Sequence, residues 1–259
     1  MAEAIAPSDF NQETVGAIAA RLAGATAVFR RHKIDFCCGG NIPLDQAAAK
    51  RGVDPAEMAK ELAALSIAVP DVPEDSSALV DHIISRYHEV HRTELPELIR
   101  LARRVEAVYR EHPEAPDGLT DALAAAGAEL EDHMRKEEQI LFPAIRSGYA
   151  GALDGPIMVM RHENDDHGET IAPLQKLADG FQPPKKGCRS SQALYKGVEK
   201  LVTDLTEHIH LENNILFPPL RERTGALKPA QLLSCGSSIQ LRARIAAGNP
   251  SVGMASNAT

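Results

Sequence analysis

Apolar residues return three or four positions apart through two stretches of the chain, and prolines and glycines punctuate them. In the first stretch, residues 9–66, the pattern predicts a helix from Thr14 to about Phe29 and a second after Pro43, from Leu44 to Lys50. A third starts at Asp54-Pro55, where Asp suits the N-cap and Pro the first helical position. The segment Ile34-Asp35-Phe36-Cys37-Cys38-Gly39-Gly40 lies between the first two. Val69-Pro70-Asp71-Val72-Pro73 then reads as a stiff linker that no helix crosses.

The second stretch, residues 76–223, predicts four long helices. The first runs from Ser76 or Ser77 to about Glu111 and is expected to kink at Pro96; Pro113 and Pro116 end it. The second runs from near Asp117 or Thr120 to Gly148, the third from Gly155-Pro156 to Gly180, and the fourth from Ser190 or Ser191 to about Pro218. The simplest arrangement is an up-down bundle. The fold class is therefore all-α, a small helical N-terminal domain followed by a four-helix bundle. Residues 224–259 are rich in Gly, Ala, Ser and Asn, lose helical periodicity after about Arg244, and read as a partly disordered extension.

Two of the predicted helices contain the same sentence. His133 to Pro143 and His208 to Pro218 both read H-x-x-x-E-x-x-I-L-F-P, 75 positions apart. The repeat duplicates a His and a Glu at i, i+4, a spacing that puts both side chains on one helical face. It relates the second and fourth helices, so the first and third should form the other equivalent pair. These carry His88-Glu89-Val90-His91 and Asn164-Asp165-Asp166-His167, H-x-x-H in one and N-x-x-H in the other. The bundle thus offers His88 or His91, His133, Glu137, Asn164 or His167, His208 and Glu212.

Imidazoles and carboxylates without a thiolate suit iron or manganese, and two bridging carboxylates would hold two ions. Zinc stays open, although one tetrahedral zinc needs fewer ligands than these. A single helical His is more often a surface or satisfied core residue, and an i, i+4 His/Glu pair can be a helix-stabilising pair. Repetition reverses that judgement here. His82, His112, His162 and His210 are left as ordinary residues, and the apolar I-L-F as core packing.

Composition narrows the rest. A formal net charge of −8 argues against nucleic acid or an anionic membrane surface as a partner. No apolar run is long enough to span a bilayer, and residues 1–10 lack the marks of a signal peptide. Abundant alanine with few aromatics favours close-packed helices. Four cysteines, two of them adjacent, do not make a secreted disulfide framework, so a reducing, cytoplasmic setting is expected. Cys37 and Cys38 cannot easily pair with each other and read as thiols on a turn opened by Gly39-Gly40, or as two small buried residues. Cys188 and Cys235 carry no motif and read as structural.

The four-helix pattern resembles hemerythrin-like domains. With Asp35 to Gly40, Tyr87-His88-Glu89-Val90-His91-Arg92 and the two H-x-x-x-E copies, residues 9–223 are similar to the iron–sulfur cluster repair di-iron family. The resemblance implies a short ScdA-type N-terminal domain followed by a hemerythrin-like bundle with two non-haem iron ions. It implies His88, His133, Glu137, His208 and Glu212 as ligands, the two glutamates bridging. The family's third helix shows E-H-D where this chain has Glu163-Asn164-Asp165. Asn164 occupies the histidine position; His167, one turn on, is taken as the sixth ligand, and an open position is the alternative.

By the same resemblance the protein restores iron–sulfur clusters damaged by nitrosative or oxidative stress, donating iron rather than turning over a substrate. Damaged iron–sulfur proteins are its partners, nitric oxide or oxygen its small ligands, and a homodimer is allowed. Cys37 and Cys38 are the reactive pair. Two other readings stay open at this point: an oxygen- or iron-binding hemerythrin-like module, and a protein that binds or reduces nitric oxide at its metal centre.

Overall fold

The computed structural model describes residues 10–65, 72–73, 75–112, 115–148, 153–185 and 187–220. The extension 224–259, with Cys235, and most of the predicted Pro-rich linker lie outside the described residues. Among the described residues every regular element is helical.

Four short helices build the N-terminal unit: α1 (Val15–Arg21), α2 (Ala25–Arg31), α3 (Leu44–Lys50) and α4 (Pro55–Ala63). The single helix expected from Thr14 to Phe29 is broken in two. Leu22 is extended and Gly24 sits at φ 88°, a left-handed conformation that glycine adopts without steric cost. The break folds α2 back, so that Val15, Ile18, Leu22, Val28 and Phe29 close one core with Phe36, Leu44, Met58 and Leu62. Thr14 caps α1 through the Ala17 N–H, and Asp54 caps α4 through that of Ala56, ahead of Pro55.

The bundle follows. Its first helix is α5 (Ser76–Ile83), a π-helical turn (Ile84–His88) and α6 (Glu89–Tyr109). The second is α7 (Leu119–Lys136), a π turn (Glu137–Leu141) and α8 (Phe142–Arg146). The third is α9 (Asp154–Leu177), and the fourth is α10 (Arg189–His210) with a π turn (Leu211–Leu216). α6 packs on α7, α7 on α9, α9 on α10 and α10 on α6, so the repeated helices lie diagonally opposite each other. The α6 assignment continues through Pro96, and that of α9 through Pro173.

Two large apolar clusters fill the bundle, one around Val80, Ile83, Phe142, Ile157 and Phe217, the other around Leu98, Leu119, Leu123, Leu174, Leu194 and Val198, and a smaller third joins Leu130, Met134, Leu205 and Ile209 to Cys37. Each fully buried side chain of this size contributes roughly 1.5–3 kcal/mol. Between them lie His88, His91, His133, Glu137, Asn164, His167, His208 and Glu212, all buried. The I-L-F segments are core as expected, except that Ile140 is 62 % exposed while Leu141 and Phe142 are buried.

Candidate metal centre

On helices two and four a proline follows the site directly. A proline in a helix cannot donate to the carbonyl four residues back, and its ring crowds that carbonyl. Pro143 and Pro218 each follow a Phe, and each Phe N–H reaches back five residues instead: Phe142 to the Glu137 carbonyl and Phe217 to the Glu212 carbonyl. The L-F-P segment therefore widens the helix into a π turn. The motif's glutamate accepts the wide hydrogen bond while its carboxylate points inward. Helix one makes the same kind of turn without a proline, from the Glu89 N–H to the Ile84 carbonyl, beside His88. Single π turns inside helices occur frequently at functional sites.

The side chains converge as two half-sites sharing two carboxylates. On one side His88 Nε2 lies 3.1 Å from His208 Nε2 and 3.4 Å from Glu137 Oε2, and His208 Nε2 lies 2.8 Å from Glu212 Oε1. On the other, His133 Nε2 lies 3.5 Å from Glu137 Oε2 and 3.8 Å from Glu212 Oε2. The His167 ring stands edge-on to that of His133, with centroids 4.9 Å apart. Asn164 does not leave a gap: its amide donates to Glu212 Oε2 at 2.9 Å and to Asn213 Oδ1 at 3.2 Å.

Electrostatics make this arrangement costly unless a cation enters. Burial and the neighbouring Glu212 push the Glu137 carboxyl well above its usual range. Glu212 is held well below it, because His208 and His133 outweigh the cost of burial. Burial lowers His88 and His167 to about 4, with His208 and His133 respectively adding to the effect. These imidazoles are neutral and have lone pairs to give. Both oxygens of Glu137 and the Nε2 atoms of His133 and His167 are buried without a hydrogen-bond partner. Buried charged groups are normally paired or coordinate a metal, and a divalent cation would satisfy all of these at once. The donor set therefore fits a metal.

An outer layer of carboxylates aims the ligands. Glu138 lies 2.8 Å from His88 Nδ1 and Glu163 lies 2.9 Å from His133 Nδ1. Arg92 anchors Glu138 at 2.7 Å, and Lys136 anchors Glu163 at 2.6 Å. Although burial opposes it, these partners lower both carboxyls, so each is ionised and can only accept. Each Nδ1 must then carry a proton, which leaves Nε2 as the ring atom facing inward and available to a metal. Sequence reasoning missed this pair. Glu138 beside Glu137, and Glu163 beside the family's histidine position, were the available signals.

Other residues fall as follows. His91 is buried beside His208 with its Nε2 unpartnered, and burial with His208 lowers it to about 3. His162 is exposed, as expected of a residue off the inner face. His210 is an ordinary core residue, buried against Phe36 with ring centroids 5.4 Å apart and its Nδ1 3.1 Å from the Asn214 amide. Cys188 is exposed rather than structural, its N–H donating to the Tyr109 hydroxyl at 2.8 Å.

Cys37 and Cys38 sit close to the centre. The Cys38 Sγ is 3.5 Å from the Asn164 carbonyl on α9, and Asn213 and Asn214 donate to the Cys37 carbonyl at 3.4 and 3.2 Å. Gly39 and Gly40 do not open the turn by adopting left-handed backbone. Gly40 is needed for close approach, since a Cβ there would come within 2.5 Å of Asn214 Oδ1.

A four-helix bundle with buried histidines and carboxylates at its middle defines a hemerythrin-type cation-binding protein. Residues 79–220 match the hemerythrin HHE cation binding domain, and residues 11–66 match ScdA_N, a domain of unknown function. The iron-sulfur cluster repair protein YtfE of Dickeya chrysanthemi strain Ech1591 is 44% identical over 214 residues, 81% of this chain and 96% of the relative. That of Yersinia pseudotuberculosis serotype IB strain PB1/+ is 44% identical over 215 residues, 81% of this chain and 97% of the relative. The chain belongs to this family of two-domain, hemerythrin-containing iron-sulfur cluster repair proteins.

Proposed function

We propose that the chain holds two iron ions between His88, His133, Glu137, His167, His208 and Glu212, and that it repairs damaged iron–sulfur clusters by donating iron. The observation that carries this reading is the pair Glu137 and Glu212, fully buried and facing imidazoles on both sides. Bound ferrous iron would supply the cargo, and the same ions would take nitric oxide or oxygen as small ligands. Imidazole and carboxylate hold ferrous iron less firmly than thiolates do, so a damaged cluster can compete for it.

This chain's own residues divide the work. Glu138 and Glu163 orient His88 and His133. His167 takes the sixth position, supported by its buried, unpartnered Nε2 beside His133. Asn164, at the family's histidine position, positions Glu212 instead. Cys37 and Cys38 meet the damaged iron–sulfur protein. The working units are residues 9–66 and 76–223, with 224–259 as an extension. No helix among the described residues is long and apolar enough to cross a membrane, which is compatible with work in the cytoplasm.

The test is anaerobic loading with ferrous iron. Two irons per chain without acid-labile sulfide are expected, and loaded protein should restore a nitric-oxide-damaged iron–sulfur enzyme where apo-protein does not. Equal performance by both would end the donation reading. Anaerobic nitrous oxide formation with reductant alone would favour nitric oxide turnover instead.

A further inference from the structure

The two sulfurs at the N-terminal turn stand at a spacing that ligands of one tetrahedral ion adopt. Cys37 Sγ is 3.7 Å from Cys38 Sγ and 3.4 Å from Asp35 Oδ1. Around a tetrahedral centre, metal–sulfur bonds of about 2.3 Å put two sulfurs about 3.8 Å apart, and a carboxylate oxygen at about 2.1 Å lies about 3.6 Å from each. We propose that Asp35, Cys37 and Cys38 form a separate binding site for one thiophilic divalent cation, ferrous iron being the physiological cargo.

The site is rigid on one side and open on the other. The N–H groups of Cys37 and Cys38 both donate to Asp35 Oδ1, at 3.2 and 3.0 Å. Asn214 donates to the Phe36 and Cys37 carbonyls at 3.1 and 3.2 Å, which ties the turn to the π turn that contains Glu212. Cys37 is buried, Cys38 half-buried and Asp35 exposed, so a fourth ligand can arrive from solvent or from another protein. A mutual disulfide is disfavoured, because adjacent Cα atoms are about 3.8 Å apart and disulfides usually span about 4.4–6.8 Å.

Its position gives it a use. Cys38 Sγ lies over Gly168, where a Cβ would come within 2.7 Å, and Gly168 follows His167 on α9. The Cys38 thiol therefore packs against the helix that carries the proposed sixth ligand. With three protein ligands and an open fourth position the site holds ferrous iron only transiently, so iron leaving the centre passes through it to the fuller thiolate set of a damaged cluster, while cobalt(II), higher in the affinity order, stays bound and reports the site. On binding, two S–H bonds break, two metal–sulfur bonds form and two protons go to solvent; no electron is transferred. The role in donation rests on the reading above, but the site itself does not.

Anaerobic titration of the iron-loaded full-length protein with cobalt(II) tests the site. A third metal per chain is expected, with sulfur-to-cobalt charge-transfer absorption in the near ultraviolet and release of two protons per cobalt. Cys38→Ser should abolish the absorption and weaken cobalt binding at least a hundredfold. Asp35→Asn keeps an acceptor for the two N–H groups and should weaken it about tenfold, by analogy with losing part of a metal's ligand support. Iron content should be unchanged in both variants. Absence of the absorption in the unsubstituted protein, or its survival in Cys38→Ser, would overturn the proposal. Failure of the histidine–carboxylate centre gives a different result: no iron retained, with the cobalt–thiolate absorption intact.

Discussion

Helices two and four reach the same geometry from the same sequence, whereas helices one and three reach comparable positions from different sequences. In the repeated pair, His, Glu, Phe and Pro at fixed spacing produce both the inward carboxylate and the π turn behind it. In the other pair, helix one has a π turn ending at His88, while α9 runs as α-helix past Asn164. A π turn adds a residue and shifts the phase of everything after it, by about 100° on a helix of 3.6 residues per turn. The polar atoms that reach the centre from the unrepeated helices therefore depend on local winding as well as on sequence spacing. On α9 Asn164 faces Glu212 and His167, one turn on, faces His133, whereas helix one presents His88 to both Glu137 and His208.

The largest effect should come from the repeated pair. Glu137→Ala or Glu212→Ala should remove both metals, because each carboxylate serves both half-sites. Elemental analysis after desalting is the measurement, and a Glu137→Ala protein that keeps two irons would break the equivalence of helices two and four.

Helix three comes next. His167→Ala should speed iron loss to a chelator about ten- to a hundredfold, a range typical of disrupted ligand support. Asn164→His should change the rate less than threefold, since His167 already occupies the position. If His167→Ala is silent and Asn164→His slows release, the sixth position is open and helix three uses the family's register after all.

The outer carboxylates should give a smaller, matched effect. Glu138→Gln and Glu163→Gln remove the anion facing His88 and His133, and each should weaken retention about tenfold. Unequal losses, read by the same chelator competition, would show that the two half-sites are not equivalent.

The smallest effect lies away from the metal. Asp204, nearly buried, pairs with Arg86 at 2.8 Å and with Lys200 at 2.8 Å. Burial opposes ionisation, yet these two cations hold its carboxyl below the usual 3.8. The pairing stabilises the fold fully above that usual value, and the contribution fades as pH falls through the depressed one. Asp204→Asn should cost about 1 kcal/mol at neutral pH, a few degrees in Tm, and progressively less toward acid. Equal cost at all pH values would mean that charge is not its source.

Residues were legible where repetition spoke for them. His133, Glu137, His208 and Glu212 stand out because i, i+4 spacing is local and occurs twice, and the structure brings all four together with His88. The four helices of the bundle were legible from apolar period and proline stops, since both act within a few residues. The break at Gly24 was not, because an isolated glycine inside an apolar period does not announce a left-handed turn. Glu138 and Glu163 were passed over because charged residues on a helix usually face water, and their partners lie on other helices, 50 and 30 positions away.

By itself, then, the sequence determined what depends on neighbours along the chain: the bundle helices, their ends and the duplicated His/Glu faces. Only tertiary structure decided what depends on distance through space. It set Glu138 and Glu163 against His88 and His133, turned Asn164 toward Glu212, buried His210 beneath Phe36, and set Cys38 against α9. These outcomes follow from which helices become neighbours and from the need to pair polar groups once water is excluded, and neither is written in any local run of residues.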